Sequence, residues 1–296
     1  MLILMRPYME PVTDRRGFMR KWIAIPIDAY DRFLEDDGWA IASHIALSTL
    51  TSLFPFLIFA TALGGFFGSQ ELADQAAEAL LESWPQAVAK PIASEIHNVL
   101  TQSRGGLLTI GVVLALYFSS SGVEALRVGL NRAYGERERR SWYLLRLESV
   151  GYVLVGAFAL LALAVLVVLA PLAFVAIAQF APALQPLWEA LALARFAITT
   201  LALLAALVIA HKWLPAGVRS FRQIWPGVIF TLALSFLFAF AFGYYLERSA
   251  RNYVTTYAGL ASVMIALLFL YALASIFVYG GELNAAIRRA QTTKAD

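Results

Sequence analysis

From Tyr257 to Gly281 the chain runs without a charged residue. A helix that crosses the hydrocarbon of a bilayer needs about 20 predominantly apolar residues to span roughly 30 Å. Six segments have that character: 39–67, 106–123, 149–180, 191–211, 225–246 and 257–284. The second is the weakest, being short and closing on Ser119, Ser120 and Ser121. The third is long for one crossing and carries Pro171, which removes a backbone donor and permits a bend. Composition points the same way, with 60% hydrophobic and 15% charged residues, against about 45–50% and about 25% in water-soluble domains. Lipid offers backbone groups no hydrogen bonds, so each span must satisfy its own. The predicted fold class is therefore all-α: a polytopic membrane protein built as a six-transmembrane-helix bundle.

The basic residues set an expected orientation. Of 23 Lys and Arg, 18 precede span one, lie between spans two and three or four and five, or follow span six. That asymmetry puts both termini in the cytoplasm, and an even number of spans requires the weak second one. The expected organisation is a cytoplasmic N-terminal segment, 1–38, then one membrane domain, 39–286, then a cytoplasmic tail, 287–296. Within the first segment, Trp22, Ile25, Ala29 and Phe33 form the stripe of an interfacial helix. The outer insert 68–105 carries apolar residues at helical spacing, broken at Trp84-Pro85, and reads as two amphipathic helices.

Hydrophilic groups within the spans are the candidate transport or cavity residues, because they usually face a bundle interior. In span one, His44, Ser48, Thr51, Ser52 and Pro55 share a helical face. They read either as hydroxyls bonded to helix carbonyls or as the polar wall of a substrate path. In and after span two, Tyr117, Ser120, Ser121, Glu124, Arg127 and Asn131 repeat the pattern. Glu124 and Arg127, three apart, are expected to pair. Arg195 opens span four and is expected to snorkel to the interface. Glu282 and Asn284 close span six. Glu282 shares a face with Arg289, and the two are expected either to clamp the helix end or to serve a substrate or coupling role.

Other chemistries find little support. Cysteine is absent, which excludes disulfides and thiolate sites. The three histidines, His44, His97 and His211, stand far apart, and no clustered ligand set for a metal-dependent hydrolase is present. No Walker A motif occurs. No catalytic residue, metal or cofactor is assigned. The expected partners are membrane lipids and a small or amphipathic substrate; no nucleic acid is expected, since a net charge of +3 is modest and topology explains the arginines.

Four separated segments carry a resemblance: "ALSTLTSLFPFLIFATALGG", "LNRAYGERERRSW", "HKWLPAGVRSFRQIWPGVIFTLALSFLFAFAFGYYLER" and "YVTTYAGLASVMIALLFLYALASIFVYGGELNAAI". In this order they resemble the YihY/virulence factor BrkB family of bacterial inner-membrane proteins, over about residues 20–290. The resemblance implies six helices with cytoplasmic termini. It also brings a ribonuclease label, which these residues do not support, and links to serum resistance and small-molecule export. The leading functional expectation is a transporter or exporter with a polar cavity in the bundle. The alternative is a non-transporting envelope protein that handles lipid or scaffolds an assembly.

Overall fold

The structure is a computed structural model that describes residues 17–67, 108–180, 187–257 and 260–292. These form seven helices: α1 Gly17–Glu35, α2 Gly38–Phe67, α3 Leu108–Ala133, α4 Trp142–Phe180, α5 Leu187–Trp213, α6 Phe221–Tyr257 and α7 Leu260–Thr292. No strand occurs among the described residues. The outer insert expected over 68–105, with His97, lies outside them.

Helices α2 to α7 each hold a stretch long and apolar enough to span a membrane. The expected and observed boundaries differ at polar places. Span two was expected to stop at 123, yet its helix runs to Ala133 and carries Glu124, Arg127 and Asn131 with it. Span three begins at Trp142 rather than 149, and α7 continues to Thr292, into the expected tail. Charged side chains can stay on a helix at these positions because other elements supply them with partners.

Helix α1 is more than an interfacial strip. Ala29 and Phe33, one turn apart, are fully buried against the bundle, and Phe33 meets Trp39 edge-on at 4.9 Å. Its carbonyl at Pro26 accepts a hydrogen bond from the Tyr279 hydroxyl of α7 at 3.0 Å. Ile27, Tyr30 and Leu34 remain exposed on the other side, as an interfacial helix requires. Asp37 turns the chain into α2 with φ of 57°, in the left-handed region that aspartate tolerates better than most residues.

Helix α2 lies along α3 and α7, and α6 packs on α7. Between apolar helices in lipid, close van der Waals packing replaces the hydrophobic effect as the glue, so small residues line the crossings. A side chain at Gly129 would run into Ile45 and Ile41 of α2. At the α6–α7 crossing the backbones touch: a Cβ on Gly227 would strike the Gly280 carbonyl, and one on Gly280 would strike the Thr231 hydroxyl. Helix α5 is the outermost, with none of its most apolar stretch buried. Its Leu201, like Leu237 and Phe240 of α6, points outward, where acyl chains rather than water are the suitable neighbours.

Candidate functional site

Chain order brings the starts of α2, α4 and α6 and the ends of α3, α5 and α7 to one end of the bundle. The polar groups of the described protein concentrate there. Helix α3 closes in a Schellman turn: Gly135 takes φ of 65°, its N–H reaches the Arg132 carbonyl, and the Glu136 N–H reaches that of Asn131. Beyond it the chain is irregular and exposure alternates along "ERERR". Glu136, Glu138 and Arg140 turn in, while Arg137 and Arg139 turn out to solvent.

The inward residues join three elements. The Arg140 guanidinium forks onto Glu138, with Nε to Oε1 at 2.9 Å and Nη2 to Oε2 at 2.7 Å. Its Nη1 donates to Glu148 of α4 at 2.8 Å. The Leu214 carbonyl, just past α5, receives both Arg140 at 3.2 Å and Arg127 at 3.3 Å. Asn131 donates to Glu138 and accepts from the Ala216 N–H, so it ties the α3–α4 loop to the α5–α6 loop. The hydrogen bonds from Arg140 hold the Glu138 carboxyl at a pKa of about 2, against 4.5 unperturbed.

A second chain of bonds runs through the interior. The Gly227 N–H donates to Asn284 Oδ1 at 2.7 Å. Only an oxygen can accept there, so the Asn284 amide nitrogen faces the Tyr134 hydroxyl, at 3.1 Å. Tyr134 in turn lies 2.9 Å from His211 Nδ1. With Asn284 donating to it, the phenol is left to donate to Nδ1, which places the imidazole proton on Nε2. Burial raises the Tyr134 pKa to about 12 and keeps it a donor. Arg219 lies over the Tyr134 ring at 4.4 Å and donates to the carbonyls of Ala216 and His211.

Glu282 stands apart. It is 1% exposed, and neither carboxylate oxygen accepts a hydrogen bond among the described residues. Of the two residues expected to clamp the helix end, Arg289 fastens it to α1, where its Nη2 donates to Asp28 at 2.9 Å, and Glu282 takes no part in that bond. Charged side chains of both signs act on Glu282 electrostatically from α1, the α1–α2 turn and α7: Asp28, Arg32, Asp36 and Arg289. It follows directly on Gly280-Gly281, where α6 and α3 pack tightly against α7.

The other sequence candidates separate into groups. The expected Glu124–Arg127 pair does not form. Glu124 instead takes Arg146 of α4 at 2.5 Å, and the same guanidinium covers the Tyr117 ring at 3.8 Å and reaches Ser121. Three or four residues along a helix is close enough for a pair, but α4 and the Leu214 carbonyl offer these two side chains better-placed partners. On α2, His44 and Thr51 are exposed, Ser48 and Pro55 half-buried, and Ser52 buried. The hydroxyls of Thr51, Ser52 and Ser120 bond to carbonyls of their own helices. Arg195 is half-buried on α5. Sequence reasoning singled out Asn131, Arg127, Glu282 and Asn284, and missed Tyr134, Glu138, Arg140, Glu148, His211 and Arg219. The alternation in "ERERR" was the available signal for part of that group.

Between the two loops opens a cleft of about 1010 Å³ lined by Arg137, Arg139, Arg140, Lys212 and Arg219, together with Glu136, Glu138 and the exposed Val218. Among the described residues no group of three or more His, Asp or Glu is disposed to hold a metal ion.

Six apolar helices with their hydrophilic groups gathered at one end define a multi-pass α-helical membrane protein. Residues 29–296 match the family described as Virulence factor BrkB, and the chain belongs to that family, as the four sequence motifs indicated. A relative in Bacillus subtilis (strain 168), the ribonuclease-like protein YfkH, is 27% identical over 263 residues, which cover 88% of this chain and 94% of that protein. Its name states a likeness, not an activity. No solved structure matches the chain.

Proposed function

We propose that the protein is a transporter or exporter of a small or amphipathic molecule in the bacterial inner membrane, with Glu282 as the acid on which movement depends. One observation carries this reading: a carboxylate buried to 1% exposure whose two oxygens accept no hydrogen bond among the described residues. An ionisable group inside a membrane bundle is costly to hold and calls for a functional explanation. A purely structural role would have filled the site with an apolar residue or a bonded amide, as Asn284 illustrates two positions on. The glycines beside Glu282 bring the α6 backbone hard against α7, which walls the carboxylate off from lipid. By the positive-inside rule the arginine-rich end is cytoplasmic, so Glu282 lies near the inner mouth.

The self-contained network around Arg140 and Tyr134 favours a second reading, a non-transporting envelope protein that handles lipid or organises an assembly. A ribonuclease reading rests on the relative's name and has the least support among the described residues.

The test compares metabolites and lipids, inside and outside cells, for strains with the wild type, Glu282→Gln or no protein. On the transport reading the wild type shifts at least one compound between compartments. E282Q folds and inserts normally but matches the null strain. An E282Q profile identical to the wild type would remove Glu282 from any such role, and three identical profiles would favour the non-transporting reading.

A further inference from the structure

We propose that the cleft between the α3–α4 and α5–α6 loops is a binding site for the phosphate of an anionic phospholipid headgroup. Arg137 and Arg139 are the cations free to take it. Both point outward, line the cleft, and form no side-chain hydrogen bond or ion pair among the described residues. The other cations there are committed. Arg140 and Arg219 are fixed in the buried network, and the Lys212 ammonium sits 3.7 Å from the Phe221 ring centre and 5.4 Å from that of Trp213.

Three observations put the cleft at headgroup depth. Exposed tryptophans mark this end of the bundle: Trp39 begins α2, Trp142 begins α4, Trp213 ends α5 and Trp225 lies one turn into α6. Tryptophan concentrates where hydrocarbon meets headgroups. Val218, which lines the cleft, is 99% exposed. An apolar side chain so displayed suits acyl-chain contact beside a phosphate held by arginine. The cleft lining carries five cations against two carboxylates, and the cytoplasmic leaflet is the anionic one.

Arginines and aromatics together also suit single-stranded RNA, whose bases stack on open rings. Here the Trp213 and Phe221 rings are already engaged by Lys212, which leaves the lipid the better occupant.

The site does not rest on transport, and its test reads binding alone. Purified protein in detergent is titrated with phosphatidylglycerol or with phosphatidylcholine of the same acyl chains, and adducts are counted by native mass spectrometry. Phosphatidylglycerol is expected to bind in preference. The double variant Arg137→Gln, Arg139→Gln should weaken it roughly thirtyfold, about a factor of five per cation. Val218→Asp should weaken it as well, and E282Q should bind like the wild type. Neither outward arginine supports the fold, so the double variant should keep the wild-type melting temperature. Equal binding of the two lipids, or undiminished phosphatidylglycerol binding by the double variant, would overturn the proposal. So would displacement by inorganic phosphate with V218D silent, which identifies a free-phosphate site. A short oligoribonucleotide that outcompetes phosphatidylglycerol would likewise overturn it in favour of RNA.

Discussion

Asn284 satisfies two buried groups at once, the Gly227 N–H and the Tyr134 hydroxyl. Asn284→Ala should therefore destabilise the protein by roughly 2–3 kcal/mol, since a buried donor or acceptor left unsatisfied costs about 1–3 kcal/mol. Tyr134→Phe, which removes a partner and leaves His211 Nδ1 bare, should cost less than Asn284→Ala. Thermal unfolding in detergent checks both. Glu138 makes a pH prediction. Its folded pKa of about 2 lies below the 4.5 of the free group. The stability it contributes is fully present above 4.5 and is lost as pH falls toward 2. Melting temperature should drop across that window more steeply for the wild type than for Glu138→Gln. Equal slopes would show that Arg140 does not depend on this carboxylate. Sequence reasoning could find these residue types but not their partners, because Glu124 had a plausible arginine three residues away and took one from another helix instead.

At the scale of elements, the contact between α6 and α7 is the most exacting. Pro226 lacks an N–H and displaces the carbonyl one turn earlier, and the next N–H, that of Gly227, goes to a side chain of α7. Gly227→Ala or Gly280→Ala should cost roughly 1–3 kcal/mol, the usual range for overpacking. The same change at Gly111, which has open space around it, should be nearly neutral. The measurement is again thermal unfolding, and a Gly280→Ala protein as stable as wild type would refute the close approach. Element lengths were legible in outline only. Hydropathy stopped span two at 123 because it scores Glu124, Arg127 and Asn131 as polar. The helix continues because Arg146, Glu148, the Leu214 carbonyl and the Ala216 N–H meet them.

For the whole molecule, the distribution of arginines predicts that the polar end, with the α3–α4 and α5–α6 loops and the end of α7, faces the cytoplasm. The chain has no cysteine, so single replacements report without background. Thr292→Cys, exposed at the end of α7, should react with a membrane-impermeant maleimide in inside-out vesicles and not in intact spheroplasts. Labelling from the outside would invert the molecule and move Glu282 to the opposite mouth. The sequence by itself determined that six helices cross a membrane and that basic residues favour one side. Both are sums over local composition, in which each residue contributes regardless of its neighbours in space. Only the tertiary structure decided that Glu282 is sealed and accepts no hydrogen bond among the described residues, while Asn284, two positions on, is satisfied. It also decided that Tyr134 and His211 belong to one chain of bonds, and that "ERERR" divides into a half-buried brace and two cations without side-chain partners among the described residues. Those outcomes join residues as much as 150 positions apart, and partner choice over such a distance depends on helix crossings that no local pattern encodes.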